Sequence, residues 1–354
     1  MNPADLARAE IRALKPYASA RALADSAGVL LNANENPWPP AGDAGLGLNR
    51  YPDPQPAALK ARLAEVYGID PAQLLITRGS DEGIDLLVRV FCRAGTDRVL
   101  ICPPCFGMYA LSARVQNAEV VEVALVEHDG DWRLDTPAID QAPACRLYFL
   151  CSPNNPTGNL LQADTLLQLA RQVADHGLVV IDEAYIELCE QASLAAQVNQ
   201  QPNLVVLRTL SKAYALAGCR IGAVIADRQV IDLLRRIIAP YPLPTPSVTA
   251  ALAALDPAAL ERQRGQLATL HGLKKTLLEQ LAQHPDILTV WPGQANFVLV
   301  RVADAAALVR DAYAAGIRLR DQSAQAALAG CVRITIGSED DMAALAEFLG
   351  AWRA

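Results

Sequence analysis

Histidine is scarce, basic runs are missing, and no apolar stretch has the length of a membrane span. Four histidines in 354 residues leave little for an imidazole-rich metal centre. The eight cysteines are scattered, and their only tight spacing is Cys102-Pro103-Pro104-Cys105, with no second pair to complete a zinc site. Reduced core thiols of a cytoplasmic protein fit this pattern better than a redox pair, and no metal is expected. Lysine and arginine total 31 against 38 acidic residues, giving a net charge of −7, which argues against a nucleic-acid footprint. The longest apolar runs are strand-sized, and Asp5 and Glu10 interrupt the region where a signal peptide needs an unbroken apolar core. Neither a membrane span nor an export signal is expected, and no internal repeat is apparent.

What is present is a globular composition, 52% hydrophobic and 19% charged, long enough for two domains. Short apolar strands at Leu74 to Thr77, Arg98 to Cys102, Leu147 to Cys151, Leu178 to Ile181 and Leu204 to Leu207 alternate with helical stretches. The segment Val120 to Val126 reads as extended. This alternation predicts an α/β domain around a largely parallel sheet. After Pro240, Pro242, Pro244 and Pro246 the pattern changes to α+β, with a helical region from Ser247 to Gln283 bent near Asp256-Pro257. The expected division is an arm over residues 1–40, a large domain over 41–246 and a small domain over 247–354.

Ligands of such sheets sit beyond the carboxyl ends of the strands. Lys212 follows the strand ending at Leu207 and stands among small and apolar residues, with Arg220 eight positions on. Desolvation and a neighbouring cation make a lysine a better amine nucleophile, although an isolated Ser-Lys is more often a surface loop. Asp182 directly follows Ile181, and a carboxylate there needs a cation or strong donors. A cap would serve, and so would a protonated heteroaromatic nitrogen. Asn155 lies in the turn after Cys151. Gly79, Ser80 and Asp81 lead from a strand into a helix expected to begin near Asp81, whose first amides suit a phosphate, with Asp81 and Glu82 as the objection. Together these groups are those needed to hold pyridoxal 5′-phosphate, with Phe106 placed to cover a ring face.

The segments Ser152-Pro153-Asn154-Asn155-Pro156-Thr157-Gly158, Asp182-Glu183-Ala184-Tyr185 and Ser211-Lys212, with Gly218 and Arg220, resemble those of the fold-type I pyridoxal-phosphate aminotransferases. Leu14-Lys15-Pro16-Tyr17, Leu31-Asn32-Ala33-Asn34-Glu35, Arg50-Tyr51-Pro52 and Val332-Arg333-Ile334-Thr335 narrow the resemblance to the histidinol-phosphate aminotransferase family. The resemblance implies that Lys212 holds the cofactor covalently and moves the substrate proton. Asp182 would pair with the ring nitrogen, while Asn155 and Tyr185 would bond the ring oxygen. Gly79, Ser80, Asp81, Thr209, Ser211 and Arg220 would serve the phosphate, joined by Tyr51 from the partner of a homodimer. Tyr17, Asn34, Glu35, Asn155, Arg320 and Arg333 would contact substrate. Phe106 departs from the tyrosine frequent in relatives.

The implied reaction passes the amino group of L-histidinol phosphate to 2-oxoglutarate in histidine biosynthesis. Alternatives on the same scaffold are a threonine-phosphate decarboxylase, an aromatic amino acid aminotransferase and a non-catalytic effector-binding domain. The last is disfavoured because no DNA-binding module or basic extension is expected.

Overall fold

The computed structural model describes residues 2–17, 19–20 and 29–353. Part of the amino-terminal arm, residues 18 and 21–28, therefore lies outside the described residues. Strands follow in chain order as β1 Leu74–Thr77, β2 Arg98–Ile101, β3 Glu119–Glu122, β4 Val126–His128, β5 Asp131–Arg133, β6 Leu147–Cys151, β7 Leu178–Asp182, β8 Leu204–Thr209 and β9 Gly222–Ile225. The later strands are β10 Ile287–Trp291, β11 Phe297–Val302, β12 Arg320–Asp321 and β13 Cys331–Thr335.

The large sheet has the order β1-β9-β8-β7-β6-β2-β3. Strands β3, β2, β6, β7 and β8 run parallel, as their apolar sequences predict. Strand β9, absent from the sequence reading, is antiparallel to both β8 and β1. Alternation of side chains places Val179, Ile181, Leu204 and Val206 in one core layer, and Leu178, Val180, Val205 and Leu207 in the other. Burial on both faces explains why these strands are continuously apolar. Register fixes the site: Cys151 pairs with Asp182 and Asp182 with Leu207, so the ends of β6, β7 and β8 open at one edge.

Two local readings are corrected. The stretch Val120 to Val126 is not one strand, because β3 ends at Glu122 and Val126 starts the β4–β5 hairpin. Asp129 and Gly130, both with positive φ, form that hairpin's turn. The first-domain helix begins at Gly79 rather than Asp81.

The expected bend at Asp256-Pro257 separates helix Thr245–Ala254 from helix Pro257–Gln283. The second helix changes partners along its length. Leu260 and Leu267 pack on the core of the large sheet, whereas Leu270, Leu273, Leu277 and Leu281 pack on that of the small one. The small sheet, β10-β11-β13-β12, is antiparallel throughout. Buried Lys274 on this helix donates to the carbonyls of Gly293 (2.9 Å) and Ala295 (2.7 Å). The loop it holds lies against the turn after β6, where Gln294 N donates to Gly158 O at 2.6 Å.

Candidate active site

Asp182 ends β7 and is only 2% exposed. Its Oδ2 accepts from the Tyr109 hydroxyl at 2.7 Å and its Oδ1 from the Ala184 amide at 3.1 Å. Burial pushes its carboxyl up to about 6, against the pull of these two hydrogen bonds. Both donors are neutral, so a cation facing this carboxylate would supply compensation that they do not.

Lys212 follows β8 and lines the cavity with Asp182. Desolvation, then the charge of Arg333, lowers its pKa from the ordinary lysine value. Its Nζ lies 5.5 Å from the centre of the Tyr185 ring. Tyr185 is buried edge-on against Phe297 (5.4 Å), and burial raises its phenol pKa.

The helix Gly79–Phe91 starts without a side-chain cap on its first amides, and Ser80 and Asp81 line the cavity. Gly79 has φ +74°, and a Cβ there would lie 2.5 Å from Arg220 Nη2. Only glycine therefore lets the guanidinium settle beside the helix start. Arg220, itself left-handed at φ 53°, donates to Ser211 Oγ (3.3 Å) and to Asp81 Oδ2 (3.1 Å). Thr209 Oγ1 donates to Ser211 Oγ at 3.0 Å. Glu82 turns back to accept from Arg78 N (2.7 Å) and pair with its guanidinium (2.6 Å), which removes half of the acidic objection. Asp81 does not cap the helix; it holds Arg220. Open helix amides, hydroxyls and a guanidinium together make an anion site.

Between these ends, Phe106 stands on one wall and Ala184 also lines the cavity. Asn155 Oδ1 accepts from Arg333 Nη1 at 2.5 Å. Because a guanidinium only donates, this bond turns the Asn155 amide nitrogen away as a free donor. A wider cavity shares Phe106, Asn155, Tyr185 and Lys212 and adds Arg320 and Arg333. Arg333 Nε is buried without a hydrogen-bond partner, and burial lowers the guanidinium pKa. The donor set thus fits pyridoxal phosphate: an acid for the ring nitrogen, an amide and a phenol beside it, an amine, and an anion site at the far end.

Four expected residues stand elsewhere in this single chain. Tyr17 is exposed, and Asn34 has a left-handed backbone at φ 55°. Glu35 pairs with Arg50 (2.9 Å) and accepts from Tyr51 N (2.7 Å), so it ties the arm to the following loop. Tyr51 stacks on Tyr241 with ring centres 4.4 Å apart. Sequence reasoning missed Tyr109, Ala184 and Gly222. A Cβ on Gly222 would lie 2.4 Å from Gly79 C, so β9 passes directly beneath the helix start. The advance signal for Tyr109 is its place in the segment Pro103 to Tyr109, three residues after Phe106, which resembles the family's ring-stacking segment.

Residues 26–349 match the family described as aminotransferase class I and II. The histidinol-phosphate aminotransferase of Xylella fastidiosa is 46% identical over 95% of this chain and 93% of its own length. A crystal structure of histidinol-phosphate aminotransferase from Sinorhizobium meliloti, in complex with pyridoxal-5′-phosphate, is 26% identical, covers 90% of both chains and has a TM-score of 0.76. The L-threonine-O-3-phosphate decarboxylase of Porphyromonas gingivalis shares the fold at 24% identity and a TM-score of 0.73, over 88% of this chain and 96% of its own. The chain belongs to the class I and II aminotransferases, a pyridoxal-phosphate-dependent family of fold type I.

Proposed function

We propose that this chain transfers the amino group of L-histidinol phosphate to 2-oxoglutarate, yielding imidazole acetol phosphate and L-glutamate in histidine biosynthesis. The observation that carries the choice of substrate is the pair Arg320 and Arg333 on the cavity that also contains Lys212. Histidinol phosphate has no carboxylate, so recognition falls on its phosphate, and a guanidinium with an unused buried Nε suits that anion. The same cations suit the carboxylates of 2-oxoglutarate and glutamate in the second half-reaction. The name and identity of the Xylella relative support this reading.

Bound pyridoxal phosphate supplies an electron sink that makes the α-proton of an attached amine acidic. Lys212 Nζ, with its lowered pKa, takes that proton from one carbon and returns it to another. Asp182 holds the ring nitrogen's proton in place. Asn155 Nδ2 and the Tyr185 hydroxyl bond the ring oxygen. Gly79, Ser80, Asp81, Thr209, Ser211 and Arg220 hold the phosphate, while Phe106 fixes the ring plane. We read residues 1–40, 41–246 and 247–354 as arm, large domain and small domain.

The working unit is a homodimer. Leu31 and Trp38 on the arm and Tyr51 on the loop after it leave large apolar surface exposed, a pattern that marks a partner surface. Tyr51 then serves the phosphate of the partner's site, and Tyr17, Asn34 and Glu35 order the arm that closes over substrate. A cytoplasmic location fits the eight free cysteines.

The test is a donor panel of histidinol phosphate, phenylalanine, tyrosine, aspartate and threonine phosphate, each with 2-oxoglutarate. Glutamate should form fastest with histidinol phosphate, with parallel-line ping-pong kinetics. Carbon dioxide release from threonine phosphate without glutamate would replace this reading by a lyase.

A further inference from the structure

We infer that Tyr109 is a positioning residue for the cofactor's ring nitrogen, acting through Asp182. Tyr109 is fully buried on helix Met108–Val115, and its hydroxyl donates to Asp182 Oδ2 at 2.7 Å. Its ring stacks on Phe149 of β6, with centres 5.1 Å apart and planes 5° apart. It also meets Phe106 edge to face, at 5.7 Å and 83°. One side chain therefore fixes both the acid beneath the ring nitrogen and the aromatic wall over the ring.

Burial and the charge of Asp182 raise the Tyr109 phenol far above its ordinary pKa, so it remains a protonated donor. The other groups facing the acid include the Cys151 thiol on β6, Asp81 on helix Gly79–Phe91, the Tyr185 phenol after β7 and Lys212 after β8. Burial keeps the thiol neutral, Asp81 opposes the charge, and Lys212 favours it. Tyr109 is thus, after burial itself, the leading influence on this carboxyl and the first that favours its anion. A donor that favours the anion also favours the proton on the ring nitrogen it faces. Removing the hydroxyl moves that proton toward the carboxylate and weakens the ion pair. Tyr109→Phe keeps the ring, its stack on Phe149 and its edge on Phe106, so packing is preserved.

This inference rests on the assignment of Asp182 to the ring nitrogen, and the experiment separates the two. Apoproteins of the parent chain, Tyr109→Phe and Asp182→Asn are titrated with pyridoxal phosphate and with its 1-deaza analogue, which has C–H in place of the ring nitrogen. Nitrogen NMR of ring-labelled cofactor reports the proton's position. Tyr109→Phe should weaken pyridoxal phosphate roughly tenfold or more, leave the analogue unchanged, and move the ring-nitrogen signal toward neutral pyridine. Asp182→Asn should abolish the preference for the natural cofactor. Equal weakening of both ligands by Tyr109→Phe, or no change in either binding or signal, would overturn the role of Tyr109. An Asp182→Asn variant that keeps the full preference would instead overturn the assignment of Asp182, and the inference with it.

Discussion

Arg333 on β13 donates from Nη1 to Asn155 Oδ1 at 2.5 Å, joining the small sheet to the turn that follows β6. The bond links the two functions of the cavity. In the proposed reaction it would fix which end of the Asn155 amide faces the cofactor and leave the rest of the guanidinium for the substrate. Phe297 supports it from below, with its ring centre 5.3 Å from Arg333 Cζ.

Arg333→Lys keeps a cation but loses the planar fork, so it can serve Asn155 or a substrate anion but not both. The KM for histidinol phosphate should rise roughly ten- to hundredfold, the worth of one or two charge-assisted hydrogen bonds. Arg320→Ala should raise KM similarly without altering cofactor absorbance, because Arg320 lines only the wider cavity. Steady-state kinetics with histidinol phosphate decide this, and an unchanged KM in both variants would remove the arginines from substrate binding.

Lys212→Ala should abolish turnover, because positioned proton transfer alone contributes at least about a hundredfold. Single-turnover loss of the cofactor's visible band on mixing with histidinol phosphate is the measurement. Near-normal turnover would end the assignment of Lys212.

Much of this site was legible because polar residues interrupt apolar strands at their ends. Asp182 after Leu178 to Ile181 and Asn155 after Leu147 to Cys151 stand out on that ground alone. Tyr109 was not legible, since an aromatic on an apolar helix reads as core. Its hydroxyl meets Asp182 because the helix packs over β2 and β3 and the ring reaches past Phe149 of β6 to the end of β7. Strand β9 was missed because Ile221-Gly222-Ala223-Val224-Ile225 is short and carries no period that separates strand from helix. The β4–β5 turn at Asp129-Gly130 carried a hairpin signal that the apolar run before it obscured. The large-sheet core also extends past residue 246, through Ala251 and Leu255. A composition change at a proline cluster marks where the chain bends, which differs from where its packing partner changes.

Asp182 should cost the cofactor-free protein stability. Its carboxyl sits at about 6 when folded, against an ordinary value of 3.8. Below about pH 4 both states hold the proton and there is no cost; between about pH 4 and 6 the unfolded state has lost it while the folded state keeps it, so stability falls by up to about 3 kcal/mol and stays lower above pH 6. Apo Asp182→Asn should therefore be the more stable protein at pH 7, with an advantage that shrinks toward pH 4.5. The Asn amide can donate to the Tyr109 hydroxyl, which accepts as well as donates. With pyridoxal phosphate bound the order should reverse. Urea unfolding of both proteins at the two pH values is the check, and a difference independent of pH would show that burial of this carboxyl is not the cause.

Gly222 and Gly218 lie four residues apart and should respond in opposite ways to alanine. A Cβ on Gly222 would stand 2.4 Å from Gly79 C and 2.5 Å from Ser80 N, both backbone atoms of the helix start proposed to hold the phosphate. Neither can swing aside as a side chain would. The helix must lift from β9, which costs about 1–3 kcal/mol as an overpacked contact and displaces the Ser80 and Asp81 amides from the anion. Gly222→Ala should therefore lose stability and affinity for pyridoxal phosphate together. A Cβ on Gly218 meets nothing within 4 Å, although this residue is nearer to Lys212 in sequence. Gly218→Ala should stay within about 0.5 kcal/mol of the parent chain and bind cofactor normally. Thermal unfolding paired with cofactor titration measures both quantities. Equal behaviour of the two variants would mean that close packing of β9 under the helix start does not hold the phosphate site in place.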